Sequence, residues 1–160
     1  MNPSVGIISV SDRASLGIYQ DLGGPALAAA CRDYGWSVTA DILVPDEIDA
    51  IASAVESLEA QGCHLILTTG GTGVALRDVT PEAIRSIMRV ELPGFGEIMR
   101  AESMKITPNA ILSRAMAAIV GQSLVIALPG KPSGAVECLG FVQKTIPHAV
   151  QVAARIPTNC

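Results

Sequence analysis

The sequence predicts an α/β fold in three layers, α/β/α, with a doubly wound, mostly parallel sheet at its centre. Three observations lead there. Between residues 4 and 69, short β-branched runs alternate with stretches of helical spacing in the order strand, helix, strand, helix, strand. Right-handed crossovers turn that order into a parallel sheet with helices on both faces. The runs are nearly free of charge, as strands buried on both faces must be. Finally, the runs lead into Ser, Asp, Thr and Gly, and the crevice beyond the carboxyl ends of such strands is where these sheets bind ligands.

The elements follow in order. "SVGIISVS" (4–11) reads as a buried strand because it is short, β-branched and uncharged. "GPALAAACRDY" (24–34) reads as a helix: Pro25 suits a first turn, alanines favour the interior, and Gly35 stands at the C′ position. "SVTADILV" (37–44) is a second strand. In "DEIDAIASAVESLEA" (46–60), Ile48, Ile51, Ala52, Val55 and Leu58 share one helical face, acidic residues occupy the first turn, and Gly62 follows the end. "HLILTT" (64–69) is a third strand, and "QKTIPHAVQVAARIPTNC" a closing helix broken or kinked near Pro147. No linker, repeat or low-complexity stretch divides residues 1–160, so one domain is expected.

Composition narrows the function. Charged residues make up 16% and apolar residues 49% of the chain, against about 25% charged in an ordinary soluble domain. So little charge leaves apolar surface, and a subunit interface is the simplest use for it; a monomer with a tolerant surface is the alternative. A net charge of −4 and 3% aromatics supply neither a basic stripe nor stacking platforms, which argues against nucleic acid. The N-terminus lacks a basic segment ahead of an apolar run, and no run approaches the roughly 18 apolar residues of a membrane span, so a cytoplasmic location is expected. Cys31, Cys63, Cys138 and Cys160 form no C-x-x-C pair; the first three sit among apolar neighbours as core residues, and terminal Cys160 is expected to be loosely held.

The strand ends carry the chemistry. The first offers Ser9, Ser11 and Asp12, the second Asp46 and Glu47, and the third Thr69, Gly70, Gly71, Thr72 and Gly73, with Asp78 and Thr80 close behind. Bare glycine backbone admits phosphate oxygens to N–H groups, threonines add donors, and a following helix N-terminus supplies a favourable dipole. Carboxylates there repel phosphate unless a cation lies between, so Asp46 and Asp78 point to Mg²⁺. The glycines are not a P-loop, because the lone "GK" at 130–131 runs into Pro132, nor a dinucleotide fingerprint, because Leu76 replaces its third glycine. A tight turn alone accounts poorly for three glycines among three threonines.

Six blocks in order, "SVSDRASLGIYQDLGGPAL" (9–27), "LVPDE" (43–47), "CHLILTTGGTGVALRDVTPEA" (63–83), "LPGFGEIMR" (92–100), "AILSRA" (110–115) and "LPGKP" (128–132), resemble the molybdopterin adenylyltransferase family, the MogA and MoaB group. The resemblance implies transfer of AMP from Mg-ATP to molybdopterin with release of pyrophosphate. By that resemblance Asp46 and Asp78 are the catalytic aspartates. Thr69, Gly70, Gly71, Thr72 and Gly73 should hold nucleotide phosphates, with Ser11 and Asp12 beside them. The turn Pro129, Gly130, Lys131, Pro132 and Ser133 should serve the molybdopterin end, with Lys131 or Ser133 on its phosphate. Family members are typically homotrimers, sometimes paired into hexamers, and residues 91–104, outside the βαβ rhythm, are the expected contact. Transient contact with other cofactor-synthesis proteins is also implied, and relatives that extend further at the C-terminus have a segment this sequence lacks. The alternative reading is a non-catalytic molybdopterin-binding or scaffold paralogue.

Other residues are assigned more modestly. Arg77 is either an anion contact or one half of a surface ion pair, and Arg13 and Arg114 share that ambiguity. His64 and His148 lack partners at ligand spacing and read as structural. Met88, Met99, Met104 and Met116 read as core or interface filler. Tyr19 and Asp21, inside the first block, are kept as residues supporting the site from behind.

Overall fold

The computed structural model of the protein describes residues 1–158; Cys160 lies outside the described residues. Its elements run β1 (Ser4–Val10), α1 (Asp12–Ser15), α2 (Gly23–Asp33), β2 (Ser37–Val44), α3 (Ile48–Ala60), β3 (Leu65–Thr69), α4 (Thr80–Ile87), β4 (Val90–Glu91), α5 (Pro93–Met104), a 3-10 turn (Pro108–Leu112), β5 (Met116–Val120), β6 (Ser123–Leu128), α6 (Pro132–Val142) and α7 (Ile146–Ala153). One six-stranded sheet has the order β2-β1-β3-β6-β5-β4. Strands β2, β1, β3 and β6 are parallel; β5 and β4 run antiparallel at one edge. The expected doubly wound, mostly parallel sheet is therefore the fold.

Alternation along each strand divides the core in two. Val5 and Ile7 of β1, Leu65 and Leu67 of β3 and Leu124 and Ile126 of β6 face a layer containing Leu27 and Cys31 of α2, Met99 of α5, Leu139 of α6 and Val150 of α7. Their sequence neighbours Ile8, Ile66 and Val125 face Ile51, Val55 and Leu58 of α3 and Ile84 of α4. Each such side chain, fully withdrawn from water, contributes about 1.5–3 kcal/mol. Edge strand β2 alternates exposed and half-buried positions instead, which is why its sequence tolerates Thr39 and Asp41.

The stops behave as the sequence suggests: Gly35 and Gly62 follow α2 and α3 with φ of +77° and +83°. Pro147 differs. It sits in the first turn of α7, where its missing N–H is harmless, so it starts a second helix after a turn at 143–145 instead of kinking one long helix. Asp46 likewise lies ahead of α3, which begins at Ile48. Cys31, Cys63 and Cys138 are buried and unbridged, Met99 and Met116 are core, and Met104 is exposed. Among the described residues no helix is long and apolar enough to cross a membrane.

The strand order reverses between β1 and β3, since the chain steps outward from β1 to β2 and then returns to β1's other side. At this switch point Gly70 leaves β3 with φ +105°, and a Cβ there would overlap the Val10 carbonyl oxygen. Gly70→Ala is therefore expected to destabilise the protein by roughly 1–3 kcal/mol. Gly94→Ala, at a site with open space around it, should change stability by under about 1 kcal/mol. Thermal unfolding of the two variants beside the parent checks the contrast.

Candidate active site

Two cavities adjoin at the carboxyl end of the sheet. The smaller, about 250 Å³, lies at the switch point: Ser9 and Ser11 come from the end of β1, Asp46 from the end of β2, and Thr69, Gly70, Gly71 and Asp78 from the end of β3 and its loop. The larger, about 660 Å³, lies across Gly130, which lines both. Thr72 and Gly73 form one wall of it, and Pro129, Lys131 and Ser133 another. Asp12 and Pro132 line neither.

The glycine loop is held from below. The Thr80 hydroxyl, fully buried, donates to the Gly70 carbonyl at 2.9 Å, and the Thr80 N–H donates to the Gly71 carbonyl at 3.1 Å. Gly71 has φ +67°, and a Cβ on it would overlap the Thr80 hydroxyl. Asp78 closes the loop on itself by accepting the Ala75 N–H at 2.9 Å, and its carboxylate stands 2.7 Å from where a Gly73 Cβ would be. The Thr69 hydroxyl donates to the Pro129 carbonyl at 2.8 Å, tying the glycine loop's strand to the second turn.

The carboxylates divide into neutralised and bare. Asp12 and Asp46 exchange contacts: the Asp12 N–H donates to Asp46 Oδ2 at 2.8 Å and the Asp46 N–H donates to Asp12 Oδ1 at 2.9 Å. Arg77 then grips both Asp12 oxygens, at 2.8 and 2.9 Å. Arg77 is thus an ion-pair partner, and its hydrogen bonds hold the Asp12 carboxyl below its usual range against the effect of burial. Asp46 goes the other way. Burial pushes its carboxyl up, and the charges of Asp12 and Asp78 add to that, outweighing the Asp12 N–H and Arg77. Among the described residues Asp46 and Asp78 therefore face one small cavity without an ion-pair partner of their own, a pair of hard oxygen donors that a divalent cation fits.

Sequence reasoning undervalued Asp21. It lines the smaller cavity, accepts the Ser9 hydroxyl at 2.6 Å and receives the Gly23 and Gly24 N–H groups at 3.1 and 3.3 Å, locking the start of α2 to β1. Tyr19 lines the same cavity, with the Arg13 guanidinium 5.7 Å from its ring centre. The far wall of the larger cavity was missed: Ile106, Ala110 and Leu112 reach it from the end of α5 and the 3-10 turn, a region whose spacing carries no signal beyond the "AILSRA" block. Cys138 lines it too, but burial raises its thiol pKa, so it is packing and not a thiolate nucleophile. His64 is structural, its Nδ1 2.8 Å from the Ser4 hydroxyl.

A bare carboxylate pair beside a positive-φ glycine loop, at the switch point of a doubly wound sheet, defines the class: a doubly wound α/β protein with its candidate ligand site beyond the carboxyl ends of its strands. A family profile described as a probable molybdopterin binding domain matches residues 6–148, and the chain belongs to that family. It is similar to the molybdopterin adenylyltransferase of Helicobacter pylori strain ATCC 700392 / 26695, 46% identical over 151 residues covering 92% of this chain and 86% of the relative. It is also similar to the enzyme of that name from Escherichia coli K12, 44% identical over 148 residues, covering 87% and 73% of the two chains. The crystal structure of the molybdopterin biosynthesis enzyme MoaB from Thermus thermophilus superposes with a TM-score of 0.90 at 40% identity, covering 97% of this chain and 98% of that one.

The raised Asp46 carboxyl has a stability consequence. A folded-state pKa above the unfolded value of 3.8 gives a contribution fully present below pH 3.8 and lost as pH rises through the folded value. At neutral pH the Asp46 carboxylate therefore burdens the fold. Asp46→Asn should raise Tm at pH 7 in metal-free buffer, and the gain should shrink as the pH falls towards 3.8. Melting curves across that range, with an unchanged or lower Tm at pH 7 as the contrary result, check it.

Proposed function

We propose that the protein is a molybdopterin adenylyltransferase, acting in the cytoplasm, that transfers AMP from Mg-ATP to the terminal phosphate of molybdopterin. One observation carries the reading. Two cavities of different character meet at Gly130: a small one bearing the bare carboxylates and the start of the glycine loop, Thr69 to Gly71, and a larger one with apolar walls, Thr72, Gly73 and Lys131. A reaction that joins the phosphates of two different substrates needs such a junction. The names of the relatives and the family description agree with it.

The chemistry demands little covalent work from the protein. An oxygen of the molybdopterin phosphate forms a bond to the α-phosphorus of ATP, the bond from that phosphorus to the bridging oxygen breaks, and pyrophosphate leaves with the electron pair. The protein's part is alignment of the two substrates and relief of negative charge. Thr69 to Gly73 suit the nucleotide phosphates, with Ser11 beside them, and Lys131 and Ser133 suit the phosphate end of molybdopterin. Asp46 and Asp78 would hold Mg²⁺, which when bound offsets charge on the phosphates. Asp12 serves by fixing Asp46 through its N–H and by absorbing the charge of Arg77. A purely binding paralogue has no use for two uncompensated carboxylates in a phosphate cavity, and that observation weighs against the scaffold alternative.

Purified protein supplied with molybdopterin, ATP and Mg²⁺ should release pyrophosphate; pterin binding without release would sink the reading. Asp78→Asn should lower kcat by about two to three orders of magnitude with pterin affinity nearly unchanged, because its contribution is to charge that builds in the transition state.

Assembly is the second element of the proposal. Around residues 91–104, Ile98 and Met104 of α5 are exposed, and Phe95 and Ile98 form an apolar groove of about 320 Å³ with Phe141 and Val142 of α6. Closing subunits around a three-fold axis would cover such surface, each keeping a complete site because the motifs come from one chain. Sedimentation equilibrium at micromolar concentration should give the mass of three chains, or a pair of trimers; the mass of one chain would remove this part of the proposal.

A further inference from the structure

Arg114 lies outside both substrate cavities and lines instead a third, about 340 Å³, with Arg85, Glu91 and Arg100. Among the described residues its hydrogen bonds and ion pair nevertheless run to the glycine loop and the helix that follows it. Its main-chain N–H donates to the Thr72 carbonyl at 2.8 Å, its Nε to the Gly73 carbonyl at 2.8 Å and its Nη2 to the Asp78 carbonyl at 2.6 Å. Its Nη1 is paired with the Glu82 carboxylate in the first turn of α4. One residue thus ties down both ends of the segment between Thr72 and Asp78, whose tip is exposed, Val74 and Leu76 at 68% and 96%, and held besides by the Ala75–Asp78 hydrogen bonds and the Arg77–Asp12 pair.

The direction of these bonds matters as much as their number. A trans peptide holds its N–H opposite its carbonyl, and the described chain has no cis bonds. With the Thr72 and Gly73 carbonyls held by Arg114, the N–H groups of Gly73 and Val74 point away from it, while Thr72, Gly73 and Val74 line the larger cavity and Arg114 does not. Arg114 thereby keeps carbonyl lone pairs, which would repel phosphate, off the ligand side of the loop. The same guanidinium anchors the Asp78 main chain, and so the position from which that carboxylate enters the smaller cavity.

We propose that Arg114 is a positioning residue for AMP transfer, orienting the 72–78 loop so that its N–H groups and the Asp78 carboxylate meet the phosphates without Arg114 touching substrate. The proposal rests on the adenylyltransferase reading for its kinetic consequence but not for its structural one. Arg114→Lys keeps the charge and loses the planar fork, so it separates geometry from electrostatics. In hydrogen exchange on the substrate-free variant, the Ala75 and Thr80 amides, which donate within this loop, should exchange roughly tenfold faster, with the β1 and β3 amides unchanged. In the transfer assay kcat should fall roughly tenfold or more. For Arg114→Ala, added guanidinium ion should recover part of the lost kcat, whereas Asp78→Asn should gain nothing. Unchanged exchange in the loop of Arg114→Lys, or an unchanged kcat, would overturn the proposal. Should both Arg114 variants fail to fold, Glu82→Gln removes only the outer anchor; faster Ala75 and Thr80 exchange then supports the proposal and unchanged exchange overturns it. If the parent protein transfers no AMP, the activity reading falls, and the exchange comparison still decides whether Arg114 holds the loop.

Discussion

The constraint on which the candidate site depends is the passage of Gly70 past the Val10 carbonyl. β1 and β3 are neighbours in the sheet although β2 and α3 lie between them in sequence, and their ends meet where the winding reverses. Only a residue without a Cβ, at φ +105°, lets the chain turn there. Everything at the site follows from that turn. Thr80 reaches the Gly70 and Gly71 carbonyls because the chain has folded back, and Asp78 enters the cavity beside Asp46 because Thr80 is fixed. The Pro129 turn is tied to the same corner through Thr69 and the pairing of β3 with β6.

Electrostatics at this corner are asymmetric by construction. Asp12, Asp46 and Asp78 come together, with Asp21 in the same cavity wall, and Arg77 neutralises Asp12. Asp12 turns that neutralised charge into a scaffold, since its carboxylate holds the Asp46 N–H while its own N–H holds the Asp46 carboxylate. Asp46 and Asp78 are left without that neutralisation, and at Asp46 burial and neighbouring negative charge work against stability. Burial and like charge raise Asp46 for the same reason that a divalent cation would suit it.

The sheet also explains why the two cavities can be so different. β3 and β6 run parallel and end side by side, so the loop after β3 and the turn after β6 face one another with Gly130 between the cavities. The smaller cavity is walled mostly by glycine backbone and short polar side chains, with Tyr19 and Leu22 beside them. The larger one borrows Ile106, Ala110 and Leu112 from a segment that follows α5, where an apolar wall can be supplied without disturbing the sheet. Distinct chain segments thus set distinct chemistries at one junction.

The sequence by itself determined the layer architecture, because period-two and period-3.6 patterns with Gly35 and Gly62 as stops are local properties of the chain. It also marked Asp46, Asp78 and the glycine loop, since a strand end rich in glycine and acid has few other uses. Only the tertiary structure decided what Arg77, Asp12, Asp21 and Arg114 do. An arginine's partners lie up to 65 residues away, as with Arg77 and Asp12, and spacing is silent about such pairs. The same holds for Pro147, which starts a helix or kinks one according to where α6 stops, and α6 stops at Val142. The antiparallel edge formed by β5 and β4, and the far wall of the larger cavity, likewise depend on contacts between segments whose own sequences show no period that would place them.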